Sequence, residues 1–123
     1  MTERSMKALL FAACAALLAA QVHAAKPKKP AFYGAIAYHR DSHSWGTSHE
    51  AQTARDAKVG ALQRCGDRRC EVVLDIRNGC GALADGPKRY AAAPGATRDE
   101  AQTKALRKCG GDACRIVAWS CTR

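Results

Sequence analysis

The sequence has no apolar run long enough to cross a bilayer. The longest, Ala8 to Ala20, falls short of the about 20 residues a spanning helix needs. There is no Cys-x-x-Cys pair, which removes the thioredoxin-type basis for redox chemistry. There is no nucleophile elbow to raise a catalytic serine out of a strand-to-helix turn. A His-x3-His pair on a helical stretch is also missing, and with it the usual zinc-enzyme signature. These absences leave little room for the common enzyme classes.

What is present begins with a leader. Arg4 and Lys7 precede the apolar run, and Val22-His23-Ala24 places small or aliphatic residues where a processing enzyme reads them. Residues 1–24 are therefore expected to be a secretory signal peptide, with the mature chain starting at Ala25. Removing them leaves 99 residues with 18 Lys and Arg against 10 Asp and Glu. One domain is expected, over residues 32–122, behind a basic Pro/Lys-rich tether at 25–31. Six cysteines remain in an exported, oxidising context, which favours disulfides over thiol chemistry and points to the periplasm or the culture fluid.

The chain writes one element twice. Leu62-Gln-Arg-Cys-Gly-Asp-Arg-Arg-Cys70 returns as Leu106-Arg-Lys-Cys-Gly-Gly-Asp-Ala-Cys114, and an offset of 44 also matches Thr53 to Thr97, Ala57 to Ala101 and Ala61 to Ala105. Thr53 and Thr97 each open a capping-box pattern, closed by Asp56 and Glu100. Helices are predicted near 54–65 and 98–109, each ended by a glycine, Gly66 or Gly110. Their small residues, with Leu62 and Leu106, are read as the inward faces. Glu71-Val-Val-Leu-Asp-Ile-Arg77 alternates as a strand with Val72, Leu74 and Ile76 on one face, and Asn78-Gly79 is read as a type I′ turn returning the chain through Cys80-Gly-Ala-Leu-Ala84. Phe32 to Tyr38, Trp45 to Ser48, Tyr90 to Ala93 and the terminal Cys114 to Cys121 run complete the strands. The expected fold is α+β: two fused strand-strand-helix-strand repeats, about 32–79 and 80–121, joined in one mainly antiparallel sheet, packed by two helices and stapled by disulfides. A single unit of ~45 residues is too small to bury a core alone.

Tyr33-Gly-Ala-Ile-Ala37, Trp45-Gly46, Cys65-x4-Cys70-Glu-Val-Val73, Asn78-Gly-Cys-Gly-Ala-Leu-Ala84 and Cys114-Arg-Ile-Val-Ala-Trp-Ser-Cys-Thr122 together resemble the bacterial exported family catalogued as domain of unknown function 4189. The resemblance covers roughly residues 32–122. It implies a signal peptide, export and a small cysteine-bearing domain, and it brings no catalytic residues with it.

Six cysteines permit 15 pairings. The repeat pairs Cys65 with Cys70 and Cys109 with Cys114 across matching helix-to-strand turns. Cys80 and Cys121 remain, brought to one face if Cys80 sits opposite Arg77 in a hairpin. Zinc held by paired thiolates is the rival reading of the same residues. His39, Asp41, His43 and His49 gather around the first strand turn and are the candidates for a small metal-dependent or hydrolytic enzyme, although a polar turn collects such residues without any catalytic purpose. The helices carry Arg55, Lys58 and Arg64 in one copy and Arg98, Lys104, Arg107 and Lys108 in the other. Set side by side they would form one positive layer, a candidate anion-binding surface for lipid headgroups or nucleic acid. The chain is accordingly expected to be a non-enzymatic binding module without cofactors. An inhibitor or immunity-type partner of another exported protein is the alternative.

Overall fold

The computed structural model describes residues 30–123. The leader read over residues 1–24 and most of the tether read over 25–31 lie outside the described residues. The element order is β1 (Tyr33–His39), β2 (Ser44–Ala51), α1 (Ala54–Cys65), β3 (Glu71–Arg77), β4 (Cys80–Asp85), β5 (Tyr90–Gly95), α2 (Arg98–Cys109) and β6 (Arg115–Cys121).

Both helices start and stop where the sequence says they should. The Thr53 hydroxyl accepts from the Asp56 N–H at 3.1 Å and the Thr97 hydroxyl from the Glu100 N–H at 3.2 Å. Glu100 also reaches back to accept from the Ala96 N–H at 3.0 Å, whereas the shorter Asp56 makes no such return bond among the described contacts. Gly66 and Gly110 end the helices at φ 74° each, the left-handed conformation that favours glycine.

The strands form two three-stranded antiparallel sheets, β2-β1-β3 and β5-β4-β6, rather than the one shared sheet expected from the repeat. The reason lies at Asn78-Gly79. Instead of a hairpin, this pair carries the chain from one sheet to the other: Asn78 has φ 46°, Gly79 does not have the positive φ a type I′ turn requires, and Asn78 bonds back to Phe32 through its amide N–H (3.0 Å) and its side-chain oxygen (2.9 Å). The two sheets then pack face to face, and one helix covers the outer face of each.

Side-chain size sorts these layers. Ala35 and Ala37 of β1 meet Ala57 and Ala61 of α1, all fully buried, and Ala82, Ala84 and Ala93 meet Ala101 and Ala105 in the same way. The larger residues, Ile36, Tyr38, Ile76 and Leu83 with Ala118, fill the space between the sheets. Leu62 and Leu106, read as inward, are instead 37% and 39% exposed, because helices seated on alanine leave no room beneath them for leucine. The alternation in β3 is also interrupted. A bulge opposite Ile36 and Ala37 sends Val72 toward α1, while Val73, Leu74 and Ile76 face the other sheet. β6 carries the matching irregularity opposite Leu83 and Ala84.

The core is thin: the largest fully buried side chains are Ile36, Leu83 and Cys109. Three disulfides reinforce it, Cys65–Cys70, Cys109–Cys114 and Cys80–Cys121. This is the pairing read from the repeat, but for the last bond the hairpin reasoning was wrong. Cys80 and Cys121 are direct cross-strand partners in β4 and β6. On a chain-entropy estimate each short loop contributes about 2 kcal/mol and the long one about 4 kcal/mol.

Candidate functional site

The two halves share one hydrogen-bond register. Tyr33 pairs with Arg77 as Cys80 pairs with Cys121, Ile36 with Leu74 as Leu83 with Ala118, and Tyr38 with Glu71 as Asp85 with Arg115. Tyr38 and Asp85 are thus equivalent positions, and they meet across the sheet interface. The Tyr38 hydroxyl donates to Asp85 Oδ1 at 2.5 Å, and His43 Nδ1, which must carry the proton to bond a carboxylate, lies 2.8 Å from Asp85 Oδ2. Tyr38 is 3% exposed and its ring centroid is 4.7 Å from that of Tyr90. Burial and the Asp85 carboxylate hold the phenol far above its ordinary range, so this hydroxyl stays protonated and serves as a clasp between the halves rather than as a nucleophile.

Because β1 and β4 both end at this clasp, one end of the sandwich collects the β1–β2 turn, the β4–β5 turn, both disulfide turns and the last turns of both helices. It therefore carries Arg40, Arg64, Arg68, Arg69, Lys88, Arg89, Arg107, Lys108 and Arg115 against Asp41, Asp67, Glu71, Asp85 and Asp112. The opposite end is nearly balanced, with Arg55, Lys58, Arg77, Arg98, Lys104 and Arg123 against Glu50, Asp56, Asp75, Asp99 and Glu100. Most of the net positive charge of the described residues sits at the turn-bearing end.

Several of these groups are already anchored. Arg40 Nη2 donates to the Lys88 carbonyl at 2.7 Å, tying the first half's turn to the second's. Arg69 grips Asp67 through Nε at 3.2 Å and Nη2 at 3.1 Å, and this contact with the Arg69 backbone N–H holds the Asp67 carboxyl well below the usual carboxylate range. Several clefts open at this end, two of them lined by residues of the clasp. One, about 670 Å³, is lined by Tyr38, His39, Arg40, Arg68, Arg69, Glu71 and Tyr90 among others. The other, about 570 Å³, is lined by His43, Asp85, Gly86, Pro87, Ala113 and Arg115.

The residues singled out from sequence fare unevenly. The helices lie on opposite outer faces of the sandwich, because each covers its own sheet, so Arg55, Lys58 and Arg64 cannot join Arg98, Lys104, Arg107 and Lys108 in one positive layer. Lys58 lies 3.9 Å from Asp75 and Lys104 2.8 Å from Glu100. Arg98 stacks on the Trp119 ring at 3.9 Å, and Arg64 donates to the Thr47 carbonyl at 3.3 Å. Arg64, Arg107 and Lys108 belong to the charged end through their places in the last helical turns. The histidines are not brought together: His39 lies 3.8 Å from Asp41, His43 turns to Asp85, and His49 sits well along β2 toward the opposite end. Among the described residues no three His, Cys, Asp or Glu side chains form a group able to hold a metal ion. Arg40, Arg68, Arg69, Lys88, Arg89 and Arg115 were missed. The Arg68-Arg69 pair inside the repeated disulfide turn was the available signal, since that turn was already known to recur.

Fold and site together define a disulfide-stapled helix–sheet–sheet–helix module, built from two like halves and charged at one end. Residues 33–121 match the family model described as Domain of unknown function (DUF4189), and the chain belongs to that family. It is similar to two uncharacterized proteins, Rv1813c of Mycobacterium tuberculosis and Mb1843c of Mycobacterium bovis, each 39% identical over 89 residues that cover 72% of this chain and 59% of the relative. The chain thus spans about three fifths of the length of the curated relatives it matches. An NMR structure of Rv1813c from M. tuberculosis is similar with a TM-score of 0.60 and 34% identity, over 79% of each chain. No helix among the described residues is long and apolar enough to cross a membrane.

Proposed function

We propose that this chain is an exported, non-enzymatic binding module that docks an anionic partner through its turn-bearing end. The observation that carries the reading is the segregation of charge: nine Lys and Arg against five Asp and Glu at that end, six against five at the other. A concentrated field of one sign attracts an oppositely charged surface, while scattered, paired charges mostly maintain solubility. The paired cysteines support the export half of the reading, since such bonds persist in oxidising compartments.

Retention on immobilised heparin, a sulfated polyanion, tests the position of the docking surface. Two triple variants remove the same amount of charge: Lys88→Gln, Arg89→Gln, Lys108→Gln at the turn-bearing end, and Arg55→Gln, Lys58→Gln, Lys104→Gln away from it. The first should elute at clearly lower salt than the parent and the second close to it. Equal losses would reduce the effect to net charge and remove the docking surface.

A further inference from the structure

We propose that the cleft beside Tyr90 binds a nucleoside monophosphate, with the phosphate on Arg40, Arg68 and Arg69, the hydroxyls on Glu71 and the flat ring against Tyr90. The inference rests on the reading of the turn-bearing end as the anion-docking end, and names what one part of that end takes.

The duplicated fold supplies an internal control. Both clefts occupy equivalent places, each between the end of a central strand, a disulfide turn and the strand that follows it. With the offset of 44, Arg68 corresponds to Asp112, Arg69 to Ala113 and Glu71 to Arg115. The fold therefore does not require guanidinium groups here, since the second copy closes the same disulfide turn without them.

Arginine is the side chain whose planar fork matches two phosphate oxygens at once. Two of the three are already oriented, Arg69 by its two bonds to Asp67 and Arg40 by its bond to the Lys88 carbonyl, and each retains donors beyond those bonds. Arg68 has no hydrogen-bond partner among the described contacts. The wall offers more than charge. Tyr90 is 41% exposed and backed by the Tyr38 ring, giving a firm aromatic surface for a flat heterocycle. Glu71 is the one carboxylate among the cleft's lining residues; ionised it only accepts hydrogen bonds, which suits the hydroxyls of a sugar and would repel a bare anion. A volume of about 670 Å³ falls in the range of small-ligand clefts.

Titration of the ¹⁵N-labelled oxidised chain with adenosine 5′-monophosphate should give saturable amide shifts at residues 38–40, 68–71 and 90. Adenosine and inorganic phosphate should each bind more weakly. The Arg40→Gln, Arg68→Gln double variant should lose about tenfold or more in affinity, since charged hydrogen bonds are removed. Tyr90→Ala should weaken the nucleotide without affecting inorganic phosphate. Arg55→Gln, at the opposite end, should leave the nucleotide affinity unchanged, and unperturbed amides elsewhere would show that each variant folds. The assignment is overturned by absence of saturable shifts, by equal affinity for inorganic phosphate, or by tighter binding of an oligonucleotide lacking a terminal phosphate. If the nucleotide fails while heparin retention still depends on Lys88, Arg89 and Lys108, only the cleft assignment falls; if both fail, the docking reading falls too.

Discussion

The shared register of the two halves makes a strong demand: whatever geometry holds the Cys80–Cys121 bond should also exist at its counterpart, Tyr33 and Arg77. Cys80 and Cys121 have Cα atoms 4.0 Å apart, and the adjoining backbone bonds correspond, Thr122 N–H to the Gly79 carbonyl at 2.8 Å and Asn78 N–H to the Phe32 carbonyl at 3.0 Å. Replacing Tyr33 and Arg77 by cysteine should therefore create a fourth disulfide. It would close a loop of 45 residues, for which the chain-entropy estimate is about 4 kcal/mol. Against this stands the loss of the Arg77 guanidinium over the Tyr33 ring, 5.8 Å from its centroid, about 0.5–1 kcal/mol at an exposed site. The half-buried Tyr33 ring also leaves its packing beside α1, costing roughly 1–2 kcal/mol. The net gain is about 1–2.5 kcal/mol, or a rise in melting temperature of roughly 10 °C for a domain of this size. Nonreducing peptide mapping should link position 33 to 77 and leave the three native bonds in place. Free thiols at 33 and 77 under oxidising conditions, or a urea midpoint below the parent's, would show that the two halves do not share their geometry.

Three further outcomes follow from the packing and the electrostatics. Gly46→Ala should destabilise the chain by about 1–3 kcal/mol in urea melts, because the added methyl would overlap the Ala61 carbonyl oxygen and Cys65 N, both helix backbone that cannot swing aside. Tyr38→Phe should cost about 1–3 kcal/mol, since it leaves the largely buried Asp85 carboxylate with His43 alone. The Lys104 ammonium and the Ala96 N–H hold the Glu100 carboxyl below its ordinary range. Its folded pKa is depressed, so its contribution to α2 is present above the unfolded value and lost as pH falls through the folded one. The Ala96 and Glu100 amide resonances should thus stay at their neutral-pH positions until below the usual carboxylate range, then move together.

Local chemistry made much of this fold readable in advance. Threonine caps and terminal glycines fixed both helices, and the repeated Cys-x4-Cys turn announced two of the disulfides. What escaped was relational. Asn-Gly is the strongest short hairpin signal, yet Asn78 spends its bonds on Phe32, and so the chain leaves its sheet at the point where the pattern says it should return. A mistaken hairpin put Cys80 beside Arg77, and the correct cysteine pair came out for another reason. Alanine-lined helices read as closely packed, which was right, but adding Leu62 and Leu106 to the inward face overlooked how little depth such a contact leaves. The charged end was the least visible feature. It draws on four turns and two helix ends far apart in the chain, and only the packing of sheet on sheet reveals that they share one pole.

Which end of the sandwich meets an anionic partner is open to direct test. Mapping the backbone amides of the oxidised chain during titration with short heparin fragments decides this directly. The largest shifts should fall within residues 39–45, 64–71, 86–90 and 107–115, and fade as salt is added. Shifts concentrated instead at residues 54–58, 96–104 and 121–123, or spread evenly over both ends, would contradict the account.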